Sequence, residues 1–377
     1  MMSDDLFQPY LDGIEPEQEV QEKDLPIEIE NPFDPLKIKV GRKIVPINLI
    51  LERILHDEID LSPDFQRRAR IWDVRRKSRL IESILLRIPL PVFYVAADSE
   101  ENWQVVDGLQ RLTTIFDYVG GEQKNTFALK GLEYLTPYEG AYFAELPRSI
   151  KRRINETELN INVIEYGTPE EVMFNIFSRI NTGGMSLNSQ EIRNALNPGP
   201  IRPFLNSLVA SEEFIRATNG SITDDRMAAR ELALRFCAFY ENDFLAYSEG
   251  DLDGFLNQAM KRINLGTPAH RKNLKQKFKL AMDRSFRIFG NDTFRKISLE
   301  SNRRSPVNRA LFDAISLNII GISDERFSRI ENDKEKYISR FIDLMKDEEF
   351  IRSISLSTAS RRMVLTRFQI IEKLLAE

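Results

Sequence analysis

The spacing of apolar residues changes once along the chain, near residue 168, and this change limits the fold more than any other feature. Between residues 37 and 121, short β-branched runs alternate with segments of helical spacing, and a further strand-like run, LNINVIEYG, precedes residue 168. From residue 168 onward nearly every segment is amphipathic with helical spacing, and no fixed-period repeat is visible. The sequence therefore predicts an α+β chain, with a mixed α/β domain at 37–167 and an irregular, mostly helical domain at 168–377.

Individual elements of the first domain follow from the same patterns. KIKVGRKIVP predicts two short strands around a Gly-Arg turn, and LPVFYVAAD and WQVVDG predict two strands joined by SEEN. VRRKSRLIESILLRIP predicts a helix that ends before Pro89. Its expected buried stripe is Leu80, Ile81, Ile84, Leu85 and Ile88, with arginines on the opposite face. LQRLTTIFDYVGG predicts a second helix, closed by Gly120 and Gly121.

Acidic residues are concentrated at the start of the chain. Residues 1–36 hold 11 acidic residues and one lysine, whereas the rest of the chain carries a net charge of +5. We expect a disordered acidic tail at 1–36 and a slightly basic body that fits a polyanion-binding surface. The tail has no basic-then-apolar signal, and no stretch approaches the roughly 18 apolar residues of a membrane helix, so we expect a cytoplasmic protein.

One cysteine, Cys237, and two histidines, His56 and His270, restrict the chemistry open to the chain. A single cysteine excludes an internal disulfide framework and any multi-cysteine zinc site, and its apolar surroundings predict a buried, inert thiol. The histidines stand far apart in unrelated contexts. A Ser-His-Asp hydrolase is therefore poorly supported, a His-Asn-His nuclease is disfavoured, and we expect both histidines at the surface.

The pattern of a strand gives way to that of a helix within WQVVDGLQRLTT, residues 103–114. The first N–H groups of such a helix lack partners and attract anions, phosphate above all. Gly108 allows positive φ and close approach of a ligand, Arg111 can grip phosphate oxygens in pairs, and Gln110 can orient a water. The segment predicts a phosphate-binding turn.

Asp107 leaves the interpretation of this turn open. Its carboxylate would compete with phosphate for the same N–H groups, unless it holds Mg²⁺ or a ribose hydroxyl. The alternative is a structural strand-to-helix turn in which Arg111 pairs with Asp107.

Two other segments carry candidate ligand contacts. PDFQRRARIW places Gln66, Arg67, Arg68 and Arg70 in a loop, although a solvated basic loop is the alternative. FSRINTGGMSLNSQEIRNAL places Arg179, Asn181 and Arg193 around a tight connection between two helices. The preference of glycine for the C-terminal ends of helices explains the glycines of that connection. Asn188 and Glu191 have the spacing of a capping box. A further basic loop, SNRRSPVNRA, is expected at the surface.

A family resemblance is carried by four separated segments: PDFQRR with the Trp72 that follows it, RRKSRLIESILLRIPLPVFYV, VVDGLQRLTTIFDYV and FSRINTGGMSLNSQEIRNAL. Together they resemble the N-terminal domain of GmrSD-type, modification-dependent restriction proteins, a ParB/sulfiredoxin-like domain. The resemblance is strongest over 61–121 and 174–196. It implies that Asp107–Arg111 matches the family's Asp-Gly-Gln-Gln-Arg nucleotide-binding turn, with Leu109 in place of the first Gln. It also implies that Phe65, Gln66 and Arg67 form a second element that lines the same pocket or senses DNA.

Related turns in the wider family bear on the chemistry. The ParB-type turn, Gly-Glu-Arg-Arg, holds a nucleotide's phosphates, and Gly108 and Arg111 match its ends. In sulfiredoxins the turn reads Gly-Cys-His-Arg, and Leu109 stands where the reactive cysteine would be, which excludes sulfinic-acid repair.

The resemblance implies a nucleotide-binding, NTP-hydrolysing DNA sensor that regulates a nuclease in restriction or antiviral defence, using GTP or another nucleotide with Mg²⁺. The expected catalytic residues are Asp107, Gln110 and Arg111. The expected phosphate-binding residues are Gln66, Arg67, Gly108, Arg111, Arg179, Asn181 and Arg193. The expected DNA-binding residues are Phe65, Arg68 and Arg70, and Asp107 is the expected metal ligand.

Two alternatives remain at this stage: a ParB-like DNA-binding module without turnover, and, third, a nuclease in its own right. The family's His-Asn-His nuclease half is expected on another chain, on the histidine count. The expected partners are DNA, modified or unmodified, and a separate nuclease or methyltransferase subunit. A homo-oligomer is a further option, and no membrane is expected.

Overall fold

A computed structural model describes residues 39–61, 72–120, 127–169, 172–174, 176–177, 188–224, 226–242, 244–247, 251–297 and 304–376. The predicted acidic tail, 1–36, lies outside these ranges. The described residues fold into two compact units, one ending at Leu196 and the other beginning at Asn197. We call them the sheet unit and the helical unit, and together they confirm the α+β class. None of the helices within the ranges above is both long and apolar enough to cross a membrane.

The sheet unit is built on one five-stranded mixed sheet with the order β1-β5-β3-β4-β2. Its strands are β1 Val40–Pro46, β2 Ile59–Asp60, β3 Phe93–Ala97, β4 Trp103–Asp107 and β5 Glu158–Ile164. The β1·β5 and β3·β4 pairs are antiparallel, and the β3·β5 and β2·β4 pairs are parallel. The predictions of β3, β4 and β5 are confirmed.

The predicted Gly-Arg turn in the first strand is wrong. Gly41 and Arg42 lie inside β1, opposite Val163 and Asn162, in a register that runs from Val40 to Pro46. The reason is that β1 pairs with β5 without a break over all seven residues, and this ladder outweighs the local turn preference of one glycine.

Helices cover one face of the sheet. They are α1 Ile47–Leu55, α2 Val74–Leu85, α3 Leu109–Ile115 and α4 Arg148–Asn155, and a π-helical segment, Phe116–Gly120, follows α3. Asp73 caps α2 by accepting a hydrogen bond from the Arg76 N–H at 2.7 Å. The predicted stripe is buried as far as Leu85, but Ile88 is 51% exposed because the helix has already ended.

A smaller apolar cluster covers the other face. Ala96, Val106 and Ile164 of the sheet pack there with Ile192 of α5 Ser189–Leu196. The predicted capping box at the start of α5 is confirmed: Asn188 N–H donates to Glu191 Oε2 at 2.7 Å, and Glu191 N–H donates to Asn188 Oδ1 at 2.8 Å. Because α5 packs on the sheet, the predicted division at residue 167 falls inside the sheet unit.

The helical unit has its own large apolar core. Its helices are α6 Ile201–Val209, α7 Glu212–Thr218, α8 Ala228–Glu241, α9 Leu252–Leu265, α10 Pro268–Phe289, α11 Arg309–Gly321, α12 Asp324–Asn332, α13 Lys334–Leu344, α14 Glu348–Ser355 and α15 Arg361–Ala376. Cys237 is fully buried, as predicted, and burial raises the pKa of its thiol. His56 is exposed, whereas His270 is half-buried, with Nε2 at 2.6 Å from Glu241 Oε1.

Glu82 joins α2 to the loop that follows residue 127. Glu82 is only 3% exposed, and its carboxylate accepts hydrogen bonds from the N–H groups of Glu133, Tyr134 and Leu135 at 3.0, 2.7 and 2.8 Å. Burial acts to raise the pKa of Glu82, but the three N–H donors and the Arg79 charge outweigh it, so the pKa lies below its ordinary value of 4.5.

Replacing Glu82 with glutamine should therefore lower the free energy of unfolding by about 1–3 kcal/mol at neutral pH, since an amide oxygen replaces a carboxylate that serves three donors. Because the pKa is lower in the folded state, this stabilisation is present above pH 4.5 and is lost as the pH falls through the folded pKa. Urea unfolding at neutral and acidic pH measures both effects. A difference between Glu82→Gln and wild type that stays constant on acidification would contradict this role of the carboxylate.

Candidate functional site

The predicted phosphate-binding turn lies where β4 ends and α3 begins. Asp107 is the last residue of β4, and Gly108 precedes α3 with φ at 98°. A Cβ on Gly108 would lie 2.3 Å from Cδ1 of Phe93. Both the left-handed backbone and the close ring therefore require glycine at this position.

Arg111 reaches back from the first turn of α3. Its Nη2 donates to Asp107 Oδ2 at 2.9 Å and to the Val92 carbonyl at 3.3 Å, and its Nη1 donates to the Pro91 carbonyl. The guanidinium carbon lies 4.2 Å from the centre of the Phe93 ring. Arg111 thus fixes the turn to the start of β3, which is the structural pairing that the sequence left open.

Burial and the neighbouring carboxylate have opposite effects on the pKa of Arg111. The Arg111 side chain is 11% exposed and that of Asp107 is 34% exposed. Burial lowers the pKa of Arg111 below its ordinary value, and the Asp107 carboxylate opposes this effect. An arginine remains protonated at neutral pH in any case, so the pair is ionic.

The start of α3 lies beside this pair. Its N-cap residue is Gly108, which has no side chain to cap the helix, and the first-turn N–H groups have no acceptors within the helix. The Gln110 carbonyl accepts a hydrogen bond from Thr114 Oγ1 at 2.6 Å. The turn therefore offers an exposed part of one carboxylate next to backbone N–H donors.

The donor set limits which metal could bind. Among the residues that the structure describes, no group of three or more His, Cys, Asp or Glu side chains could hold a metal ion. Mg²⁺ commonly takes one or two carboxylates and completes its shell with phosphates and water. Asp107 therefore fits a nucleotide-bound Mg²⁺ and does not fit an all-protein metal cage.

The structure brings Asp107, Gly108, Gln110 and Arg111 together in one turn. Arg193 lies on α5, which packs on the sheet face to which Val106 contributes; it is 1% exposed, and its Nε donates to Gln190 Oε1 at 2.9 Å. The remaining predicted site residues lie outside the described residues. They are Phe65, Gln66, Arg67, Arg68, Arg70, Arg179 and Asn181.

Sequence reasoning assigned no role to the arginines on the outer face of α2. Arg75 and Arg76 are exposed and Arg79 is half-buried, and the exposed Arg87 follows two residues after α2 ends. The available signal was the three- and four-residue spacing of the α2 arginines opposite the apolar stripe. The sequence does not show which helix lies beside them, so the spacing alone does not indicate a binding surface.

Replacing Arg111 with alanine should lower the free energy of unfolding of the sheet unit by about 2–3 kcal/mol, because a charge-assisted contact is lost and two backbone carbonyls lose a donor. Arg111→Lys should recover only a small part, because one ammonium cannot reproduce the planar fork over the Phe93 ring. Urea unfolding followed by circular dichroism measures the loss. An Arg111→Ala protein as stable as wild type would contradict this structural role.

A model of a known protein family matches most of the sheet unit. Residues 51–197 match the family described as GmrSD restriction endonuclease, N-terminal domain. The matched segment includes Asp107–Arg111 and ends within one residue of the sheet unit, after α5. No curated protein matches the chain.

Proposed function

Because residues 51–197 match the GmrSD restriction endonuclease N-terminal domain, we propose that this protein is a nucleotide-binding sensor component of a restriction or defence system. The coarse role follows from the domain type. The finer proposal is that the Asp107–Arg111 turn receives the phosphates of a nucleotide, GTP or another, and that DNA is the sensed partner. A nuclease or methyltransferase carried by another chain would act on that DNA.

The observation that carries the proposal is the arrangement at the start of α3. The first-turn N–H groups, which follow a glycine N-cap, and the positive end of the helix dipole stand beside a carboxylate that is 34% exposed. This combination suits a phosphate that arrives with a cation, because Asp107 can then hold the cation instead of repelling the anion. Bound Mg²⁺ would neutralise phosphate charge, which favours attack by water.

The residues of the turn would have different roles in binding and hydrolysis. The N–H groups of Leu109, Gln110 and Arg111 would bind phosphate oxygens. The Gln110 side chain would orient a water, since phosphoryl transfer needs positioning more than a strong base. Arg111 keeps the turn in place through Pro91 and Val92, so it acts as a positioning residue.

The test is nucleotide titration calorimetry on the full chain with GTP, ATP and CTP, with and without Mg²⁺. In Mg²⁺, Asp107→Asn should weaken binding by about tenfold, because the neutral amide is a poorer magnesium ligand. The asparagine oxygen still accepts from Arg111, so the turn stays folded. Without Mg²⁺ the variant should bind no more weakly than wild type.

Glu158→Gln, the same kind of change at an exposed carboxylate on β5, is the matched control and should bind as wild type does. The absence of binding by every nucleotide, or an Asp107→Asn protein that matches wild type in Mg²⁺, would overturn the proposal. Arg111→Ala is unsuitable here, because its effect on folding would also remove binding.

A second candidate is a ParB-like module that binds nucleotide or DNA without turnover. The specific observation in its favour is that Leu109 packs against the apolar core at the motif position where the family has a glutamine. The turn therefore has one polar side chain fewer for orienting water. The absence of phosphate release by wild type above a protein-free blank, with nucleotide binding intact, would favour this candidate over an NTPase.

A further inference from the structure

We propose that the outer faces of α2 and α4 form a docking surface for the phosphate backbone of duplex DNA. The inference rests on the proposed function in one respect only, that DNA is the partner. We call this region the basic face. Its helix cations are Arg75, Arg76 and Arg79 of α2 and Arg148, Arg152 and Arg153 of α4, and Arg87 and Lys130 adjoin them.

The amphipathic pattern of α2 directs its arginines outward. Leu80, Ile81 and Ile84 are buried against the sheet, and Arg75 and Arg76 are exposed on the opposite side. At about 1.5 Å per residue, the twelve residues of α2 extend roughly 18 Å, which is long enough to follow several phosphates of one strand.

α4 continues the same charge beside α2. Ile150 and Ile154 anchor α4 in the apolar core that α2 also joins, so Arg148 and Arg152 face outward. Arg153 connects the two helices, since its Nη1 donates to the Leu85 carbonyl at 3.2 Å. The basic face therefore draws its cations from two helices that are in contact.

The loop after residue 127 lies against α2 and adds to the face. Lys130 N–H donates to Ser78 Oγ at 2.8 Å, and Arg79 Nε donates to the Gly131 carbonyl at 3.2 Å. The exposed Lys130 thus stands at the edge of α2. Tyr134, which is 71% exposed, follows on the same loop and can donate its hydroxyl to a phosphate.

Several carboxylates in this region are bound to backbone N–H groups. Asp73 accepts from Arg76 N–H at 2.7 Å, and Glu145 accepts from Tyr142 N–H at 2.8 Å. Glu139 accepts from the N–H groups of Gly131 and Leu132 at 2.7 and 3.0 Å. These anions are held by the backbone and do not pair with the surface arginines.

Five cations of the basic face consequently have no ion-pair partner among the carboxylates that the structure describes. They are Arg75, Arg76, Arg87, Lys130 and Arg148. Two others have carboxylate neighbours at the edge: Arg79 pairs with Glu133, and Arg152 lies 4.0 Å from Glu156. Unpaired, exposed guanidinium groups on rigid helices are the groups that neutralise nucleic-acid phosphates.

The arrangement favours a duplex over a single strand. A single-strand platform places aromatic rings among the cations, so that successive bases can stack. Here the half-buried Trp72 is covered by Arg76, whose guanidinium carbon lies 4.6 Å from the ring centre, and the exposed Tyr134 and Tyr142 stand on the loop, whereas the outward positions of α2 and α4 carry arginine.

The test is fluorescence anisotropy of a labelled random-sequence duplex against the full chain, titrated over a range of salt concentrations. Joint replacement of Arg76, Arg148 and Arg152 by glutamine should raise Kd about tenfold or more at low salt and reduce the slope of log K against log salt by about 2–3. These side chains are exposed, and the unfolding midpoint of the variant should match that of wild type.

The matched control removes three positive charges from the helical unit: Lys272→Gln, Lys275→Gln and Lys277→Gln on α10. It should change Kd by less than about twofold, because the phosphate contacts lie elsewhere. The proposal is overturned if the basic-face variant binds as wild type does, if the control loses as much affinity, or if single-stranded DNA or duplex RNA binds more tightly than duplex DNA.

Titrating nucleotide into the same variants distinguishes a failure of this inference from a failure of the proposed nucleotide site. A chain that binds duplex DNA through the basic face but binds no nucleotide removes the nucleotide proposal and keeps this inference. A chain that binds nucleotide through Asp107 but shows no loss of DNA affinity in the basic-face variant removes this inference alone.

Discussion

Replacing Asp313 with alanine should lower the free energy of unfolding of the helical unit by about 3–5 kcal/mol, a loss at the upper end of what one substitution causes. Asp313 on α11 is fully buried between Arg235 of α8 and Arg367 of α15, each 1% exposed. Arg235 Nε and Nη2 donate to its two oxygens at 3.0 and 2.6 Å, and Arg367 Nη2 donates at 3.3 Å.

The cost arises from the two charges that remain after the carboxylate is removed. Breaking a buried pair by deleting one partner leaves an uncompensated charge in a low-dielectric interior. In this case two guanidinium groups lose their shared anion. Another carboxylate described near Arg235, that of Glu231, has its Oε1 3.8 Å from Arg235 Nη1 and cannot replace the bidentate contact.

Urea unfolding of Asp313→Ala, followed by circular dichroism, measures the loss. Asp343→Ala is the control, because Asp343 is 67% exposed and its pair with Lys346 should contribute less than about 1 kcal/mol. A loss at Asp313 no larger than the loss at Asp343 would show that the buried triad does not stabilise the helical unit.

Replacing Gly108 with alanine should destabilise the sheet unit by about 2–4 kcal/mol. Two terms contribute: a side chain at φ 98° is strained, and the new Cβ would lie 2.3 Å from the Phe93 ring. Phe93 is fully buried and stacks on Arg111, so the ring cannot move without disturbing the clamp at the turn.

Gly140 allows the two terms to be separated. It also has positive φ, at 81°, but an added Cβ would meet nothing within 4 Å. Gly140→Ala should therefore cost only the backbone strain, about 1 kcal/mol. If unfolding midpoints show equal losses at Gly108 and Gly140, the close contact with Phe93 plays no part in requiring glycine.

The part of the fold that the sequence predicts well is the part set by local periodicity and capping. α2, β3, β4 and the α5 capping box are examples, because apolar spacing or a three-residue polar spacing defines each of them. The prediction for β1 is wrong, since the continuity of this strand depends on pairing with β5, which lies more than a hundred residues away.

The candidate site also depends on contacts between residues that are far apart in the sequence. The sequence predicts a strand-to-helix turn at Asp107–Arg111 and leaves open whether Arg111 grips phosphate or pairs with Asp107. The carbonyls of Pro91 and Val92 decide where the guanidinium lies, and they reach Arg111 only because β3 pairs with β4. A motif of five residues cannot contain that information.

The buried triad and the basic face had sequence signals of different strength. Arg235, Asp313 and Arg367 each interrupt an apolar run, and charges in such runs are rarely buried unless paired. The choice of partners depends on how α8, α11 and α15 pack. For the basic face, the sequence shows the arginines of α2 opposite its apolar stripe. That α4 lies beside α2 follows only from tertiary packing.

The most direct test of the central claim, that the N–H groups of the Asp107–Arg111 turn bind nucleotide phosphate, is amide hydrogen exchange with and without Mg²⁺-nucleotide. We predict slower exchange at Leu109, Gln110 and Arg111 on binding, with the loop around Gly140 unchanged. Nucleotide binding that slows exchange elsewhere and leaves these three amides unaffected would contradict the claim.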